Sequence, residues 1–412
     1  MVIMAEEKEC NDAQRSWKDV SIKDVCESIT DCVNKTAPTV DYQTSYIMIR
    51  TNNVRDGDID LSDVKYVTRD VFEIWTRRMT PKKGDVILTR EAPLGEVGMI
   101  KTDDYIFLGQ RLMQYRANPC YLDNRFLLYA FQDRVLQEQI RLLGSGATVE
   151  HMRVPDAEKL IIRLPPLPEQ HAIATALSDI DALITSLDKL IAKKRDIKQA
   201  TMQQLLTGKI RLPGFSGHGS AKLGDFFELN PSRTRLKDSD LVTFIGMEDV
   251  SESGSIINQS ILPLSSVKKG LTFFERDDIL VAKITPCFEN GKGACLDTLK
   301  TKVGFGSTEF HVLRAKKNAN PRYVFYQTQT AEFRKRLETE MIGTAGQKRV
   351  PAQAIINYPL PVLHLKDEQT AIATVLSDMD AEITALEQKR DKTRALKHGM
   401  MQELLTGKMR LL

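Results

Sequence analysis

One stretch of this 412-residue chain is written twice, and that repeat constrains every later reading. Residues 168–213 read PEQHAIATALSDIDALITSLDKLIAKKRDIKQATMQQLLTGKIRLP, and residues 367–412 read DEQTAIATVLSDMDAEITALEQKRDKTRALKHGMMQELLTGKMRLL. Glu169 answers Glu368, Asp181 answers Asp380 and Gly208 answers Gly407, at a constant separation of 199 residues. Of the 46 positions so paired, 26 are identical, and identity at a fixed register marks a duplication. A chain made of two copies of one unit is expected to have a two-fold function.

Each copy reads as a helix. Apolar residues fall at Ile173, Leu177, Ile180, Ile184, Leu187 and Ile191, and again at Ile372, Leu376, Met379, Ile383 and Leu386. Alternating steps of four and three make a heptad seam. Pro168-Glu169 and Asp367-Glu368 are helix-start signals, with negative charge at the positive end of the dipole. Gly208 and Gly407, each followed by lysine, are stops. A span of about 38 residues at roughly 1.5 Å rise gives a rod on the order of 55–60 Å long. Its apolar stripe needs a partner, and the other copy is the natural one. The stripe weakens at Ala192-Lys193-Lys194 and Gln388-Lys389-Arg390, which read as a solvated flank or as a docking surface for another subunit.

Composition fits this picture. Hydrophobic residues make up 42% and charged residues 27%, as in a soluble globular protein of two or three domains. No apolar run approaches the roughly 18–20 residues that span a bilayer, and MVIMAEEKECND is too acidic for a signal peptide, so no membrane partner is expected. The six cysteines lack CxxC spacing, which suits reduced thiols in a cytoplasmic protein and no zinc site. A net charge of +3 neither demands nor excludes nucleic acid.

In chain order, residues 1–163 form a first globular segment, of which 1–15 are expected to be disordered. Residues 164–213 form the first rod, 214–359 a second globular segment and 360–412 the second rod. Short β-type runs such as YIMI (46–49) and DVILT (85–89) precede a helical stretch over 124–143, and GSGATVEHMRVP (144–155) follows. The second half replays this order. DDILVAK (277–283) parallels GDVILTR (84–90), FHVLRAKKN (310–318) parallels LMQYRANP (112–119), a helix is expected over 321–341, and GTAGQKRVP (343–351) stands where the glycine loop stood.

Catalytic constellations are missing. There is no Asn/Asp-Pro-Pro-aromatic tetrad of an adenine methyltransferase and no GxxxxGK[ST] loop, since Gly208-Lys209 ends a helix. The acids of Pro155-Asp156-Ala157-Glu158-Lys159 lie too close for strand-separated metal ligands, and no histidines stand four apart. These features favour a binding module without cofactor or metal over an enzyme.

Two diverged globular segments, each followed by a proline-bearing strand, an acid-Gln start, a long helix and LLTGK-[IM]-R-L, resemble the specificity subunit of type I restriction–modification systems. The resemblance covers the chain from Trp17 to Leu412. It implies an α+β fold: two mixed α/β target recognition domains joined by two long helices in an antiparallel coiled coil, with an internal pseudo-two-fold repeat. It also implies that each domain reads half of a bipartite site in double-stranded DNA and that the coiled coil sets the spacing. Two methyltransferase (modification) subunits would dock on the frame, restriction subunits would join through them, and the chain itself would catalyse nothing. One departure is that Lys366-Asp367 stands where the first copy has Leu167-Pro168, so the second helix is expected to start a residue later or to leave at a different angle.

Base readout needs Arg, Lys, Asn or Gln at loop tips, and phosphate contacts need cations and backbone amides. On that ground the candidates are Arg77, Arg78, Lys82, Lys83, Arg90, Ser145, Thr148, His151 and Arg153 in the first half. Their counterparts are Lys268, Lys269, Lys283, Thr344, Gln347, Lys348 and Arg349 in the second. The glycine loop ranks first, because small residues let backbone approach a phosphate; Arg50, Arg69 and Arg233 rank last. Two other readings stand beside this one: a coiled-coil adaptor that binds only proteins, and an enzyme with a duplicated lid.

Overall fold

The computed structural model describes residues 16–144, 150–216, 219–344, 346–360 and 365–411. Contacts divide the chain into two units, one running to Asp188 and resuming at Gln388, the other spanning Lys189–Glu387. Each long helix therefore contributes one half to each unit, a grouping different from the four segments drawn by repeat length.

In the first unit a four-stranded antiparallel sheet runs in the order Cys26–Asp31, Leu112–Ala117, Val86–Arg90, Leu94–Met99. Its inner strand carries Val86-Ile87-Leu88, all wholly buried, because both faces of the sheet are covered. A second, three-stranded sheet holds Tyr46–Ile49 parallel to Tyr105–Leu108. The second unit repeats both ideas. Phe227–Leu229, Phe310–Ala315, Ile279–Ala282 and Gly293–Cys295 form an antiparallel sheet in the matching order, and Leu241–Ile245 runs parallel to Val303–Gly306 in the other sheet. In both units a short antiparallel pair ties the entry strand to the strand before the long helix: Lys18–Ser21 with Ile161–Leu164, and Ala221–Lys222 with Pro359–Leu360.

The single helix expected over 124–143 is two, Asn124–Gln132 and Arg134–Leu143. Asp133 between them has an extended backbone, and its carboxylate accepts from the Val135 N–H, so it caps the second helix and ends the first. Thr330 does the same between Pro321–Thr328 and Ala331–Thr339.

The long helices are Leu167–Leu206 and Lys366–Leu404. They start at equivalent repeat positions, so the proline-free second start is not displaced. The acid-Gln pair accounts for this: Gln170 Oε1 accepts from the Asp123 N–H at 2.9 Å, and Gln369 Oε1 from the Asn320 N–H at 2.9 Å. Both anchors hold whichever residue precedes them. Among the described residues no helix is long and apolar enough to cross a membrane.

Along the seam, Ile173, Leu177, Leu187, Ile372, Leu376 and Ile383 are buried, and Ile180, Ile184, Met379 and Leu386 are half-buried. The helix ends also complete the globular cores. Ile173, Leu177, Leu404 and Leu405 pack with Tyr115, Phe126 and Phe131 in the first unit. Met202, Leu205, Ile372 and Leu376 pack with Tyr323 and Phe333 in the second. Burying each such side chain contributes about 1.5–3 kcal/mol.

Ion pairs fix the register. In the first unit Arg410 meets Glu169 at 2.6 Å, Lys397 meets Asp181 at 2.7 Å and Arg394 meets Asp188 at 2.9 Å. In the second, Arg211 meets Glu368 at 2.6 Å, Lys198 meets Asp380 at 2.5 Å and Arg195 meets Glu387 at 2.5 Å. Within each unit the numbers rise on one helix as they fall on the other, so the pairing is antiparallel. Every pair in one unit is its counterpart displaced by 199 residues, with donor and acceptor helices exchanged. The basic middle of the repeat is partly taken up here too: Lys194 meets Glu382 at 2.6 Å and Arg390 meets Asp188 at 3.4 Å.

A tyrosine reinforces each ladder. Tyr129 Oη donates to Asp181 Oδ2 at 2.8 Å with Lys397 Nζ 5.4 Å from the ring centroid, and Tyr326 does likewise with Asp380 and Lys198. Burial is the main cause pushing both hydroxyls above the usual tyrosine range, so they remain donors. Tyr129→Phe is expected to cost about 1.5–2 kcal/mol in urea unfolding, the low end of the range for a hydrogen bond to a charged group, because Asp181 is partly exposed. No shift in the midpoint would mean that water replaces the bond at no cost.

Candidate nucleic-acid interface

In the first unit the sheet itself presents the lysine pair. Asp85, 3% exposed, binds Arg116 at 2.7 Å, Gln114 Nε2 at 2.6 Å and the Lys82 N–H at 2.7 Å. This carboxylate pins the turn, leaving the Lys82 and Lys83 side chains exposed on an open concavity of about 390 Å³ bordered by Glu27, Arg116, Asn124 and His171. Lys83 also lies 3.7 Å from Asp103. The second unit repeats the pin: Asp278 binds Arg314 at 2.8 Å and the Glu275 N–H at 2.7 Å.

The other first-unit candidates divide. Arg77 is exposed, whereas Arg78 is held by the Asp31 carboxylate at 2.8 Å and by the carbonyls of Asp31 and Cys32. Arg90 donates to the Met152 carbonyl at 3.0 Å, and its backbone carbonyl accepts from Met152 N–H, so it moors the end of the glycine loop to the sheet. His151 is half-buried and bridges Glu91 through backbone pairing. Arg153 is exposed but meets Asp156 at 2.7 Å. Ser145 and Thr148 lie outside the described residues.

In the second unit Thr344, Gln347 and Lys348 are exposed, and Arg349 beside them clasps Glu309 through two guanidinium nitrogens, at 2.8 and 3.0 Å. The hydrogen bonds from Arg349 hold the Glu309 carboxyl below the usual carboxylate range. Lys283 stands against the same place: its N–H donates to the Glu309 carbonyl and its carbonyl accepts from Val350 N–H. The structure thus brings Lys283, Gln347, Lys348 and Arg349 together. Lys268 and Lys269 are exposed at a separate turn leading into the other sheet. Arg50 and Arg69 are paired with Asp63 and Glu73.

The Asp85–Arg116 and Asp278–Arg314 pins escaped sequence reasoning. Their signal was present, as an aspartate opening DVIL and DILV and an arginine closing MQYR and HVLR at matching places in both halves. Glu169 and Glu368 were seen only as helix starts, although each EQ has an equally repeated arginine near the end of the other copy.

Comparison with known proteins completes the picture. The family described as type I restriction modification DNA specificity domain matches residues 14–199 and 217–393. The chain is 38% identical over 147 residues to the type I restriction enzyme EcoAI specificity subunit of Escherichia coli, covering 35% of this chain and 25% of that one. It thus spans about a quarter of the length of the EcoAI and EcoEI subunits of E. coli that it matches. The MjaVIII specificity subunit of Methanocaldococcus jannaschii is 24% identical over 425 residues, 96% of this chain and 93% of its own. The crystal structure of a type I restriction-modification S subunit from M. genitalium shares the fold, with a TM-score of 0.58 at 16% identity over 95% of this chain and 96% of the other. With both globular halves inside the matched spans, the chain belongs to the type I restriction modification DNA specificity family.

Proposed function

We propose that this chain is the DNA-recognition subunit of a type I restriction–modification complex. Each unit reads one half of a bipartite duplex site, and the long helices set the separation of the halves. Two methyltransferase subunits dock on the repeated frame, and restriction subunits join through them. The chain catalyses nothing itself and works in the cytoplasm. The observation that carries this reading is duplication with selective divergence. Sheet order, helix anchors and ion-pair ladders recur in both units, while the loops facing outward differ. Two like modules with unlike tips suit an asymmetric, two-part target.

The test is selection of a randomised duplex pool on this chain co-purified with its methyltransferase partner, followed by sequencing. Two short defined blocks separated by a fixed run of arbitrary bases are expected. Salt-sensitive binding without enrichment, or no binding, would overturn the reading.

A further inference from the structure

In the second unit a small apolar cluster of Val242, Phe273 and Phe305 is sealed by Leu236, Val267 and Leu271. Leu236 comes from the segment before Leu241–Ile245, and Val267 and Leu271 from the turn leading into Thr272–Glu275. The cluster therefore holds two segments side by side that lie far apart in sequence. The residues interleaved with these apolar anchors are basic and exposed: Arg233 and Arg235 on one segment, Lys268 and Lys269 on the other. Arg233 Nη2 donates to the Leu271 carbonyl at 3.1 Å, and its guanidinium sits 4.8 Å from the Phe305 ring centroid, which fixes one cation at the junction. Gly270 has φ +90, and nothing lies within 4 Å of where its Cβ would stand, so the lysine turn faces open space.

The local acids do little to balance this charge. Asp240 Oδ2 accepts from the Lys237 N–H at 2.8 Å, and the exposed Asp238 is the remaining acid of its segment. The lysine turn, 264–272, contains none. Among the described residues none of the four cations makes an ion pair. The first unit differs: residues 33–43 carry one base, Lys35, with Asp41, and of the bases leading to Val86–Arg90, Arg69 is paired with Glu73, Arg78 with Asp31 and Lys83 with Asp103, leaving Arg77 and Lys82.

Four cations held on one surface without carboxylate partners repel one another until a multiply charged anion lies across them. We propose that Arg233, Arg235, Lys268 and Lys269 form a surface that grips the phosphate backbone of duplex DNA and contributes affinity without sequence preference. This rests on the DNA-recognition reading above. It assigns backbone gripping to this turn and leaves base discrimination to other residues.

The experiment measures binding of the full chain, with its methyltransferase partner, to two duplexes over a salt series. One duplex carries the selected bipartite site and the other is unrelated in sequence. Each lost phosphate contact lowers the slope of log affinity against log salt by about 0.9, so R233A/R235A/K268A/K269A is expected to flatten it by about 3–4 for both duplexes. At low salt the loss is expected to be tenfold or more on both, with their ratio unchanged. K268A/K269A, confined to the open turn, guards against misfolding and is expected to give about half the change in slope. Unchanged slopes in variants that melt like the parent would overturn the surface while leaving the DNA reading intact. A collapsed ratio with an unchanged slope would also overturn it, since the turn would then be reading bases. A parent chain that binds no duplex would overturn both.

Discussion

Glu169→Ala is expected to destabilise the first unit by about 3 kcal/mol, the low end of the range for breaking a buried ion pair by removing one partner. The Glu169 side chain is wholly buried, and every group it meets comes from elsewhere in the chain. Arg410 donates through Nε at 2.6 Å and Nη2 at 2.8 Å, Trp17 through its indole N–H at 3.1 Å, and Leu411 through its backbone at 3.3 Å. Truncation strips all these donors of their acceptor at once. The low end applies because Arg410 is itself 39% exposed and can recover some hydration. Both tryptophans, Trp17 and Trp75, belong to the first unit, so their fluorescence during urea unfolding reports it. The same bond also sets a pH dependence. Burial pushes the Glu169 carboxyl up, but the Arg410 and Trp17 hydrogen bonds and the Arg410 charge outweigh it, leaving it below the usual carboxylate range. A depressed folded value means the stabilisation is complete above the unfolded pKa and fades as pH falls from there through the folded one. Glu169→Gln should therefore flatten stability between pH 5 and more acid conditions in that window. A loss below about 1 kcal/mol for the alanine variant would mean that the pair behaves as an exposed one.

The repeat was legible because heptad spacing, acid starts and glycine stops are all local. The strands GDVILTR and DDILVAK were aligned correctly for the same reason: Val86–Arg90 and Ile279–Ala282 occupy the same place in their sheets. Where the reading fell short, a distant partner or a double meaning was involved. Asp133 stands in a stretch with good helical periodicity, and nothing local says that its carboxylate caps a new helix instead of facing solvent. Tyr46–Ile49 pairs in parallel with Tyr105–Leu108, more than fifty residues on, which periodicity cannot register. The candidate bases show the same limit. Charge alone selected Arg78 and Arg349, but their partners Asp31 and Glu309 lie 47 and 40 residues away and become neighbours only through the sheets. Conversely, Arg233 ranked last by sequence because the two segments that give it meaning meet only in the fold, through the cluster of Leu236, Val267 and Leu271 and the backbone bonds of Leu264 and Ser265 to Asp240 and Asp238.

Removing one heptad from each long helix is expected to shorten the preferred spacer by about three base pairs while leaving the bases of both half-sites unchanged. Both helices pass from one unit into the other without a break, so on the proposed reading their length contributes to the spacing of the half-sites. Seven residues at roughly 1.5 Å each remove about 10 Å, and duplex DNA advances about 3.4 Å per base pair. Deleting 189–195 together with 388–394 keeps the seam in phase, because seven residues return the helix face nearly to its starting orientation. The ladder pairs Lys198–Asp380 and Lys397–Asp181, the tyrosines that brace them, and the Arg211–Glu368 and Arg410–Glu169 ends all lie outside the deletion. Only the inner pairs lose a member: Arg195–Glu387, Lys194–Glu382, Arg394–Asp188 and Arg390–Asp188. Such exposed pairs contribute about 0–1 kcal/mol each, so the shortened protein should fold. Sequencing a duplex pool selected on it separates two properties that the parent presents together. A new spacer with the old half-sites would place spacing in the helices and base choice in the globular folds. Altered half-site bases with the old spacer would mean that the helices reach into base recognition, and the division of labour between frame and tips would fall.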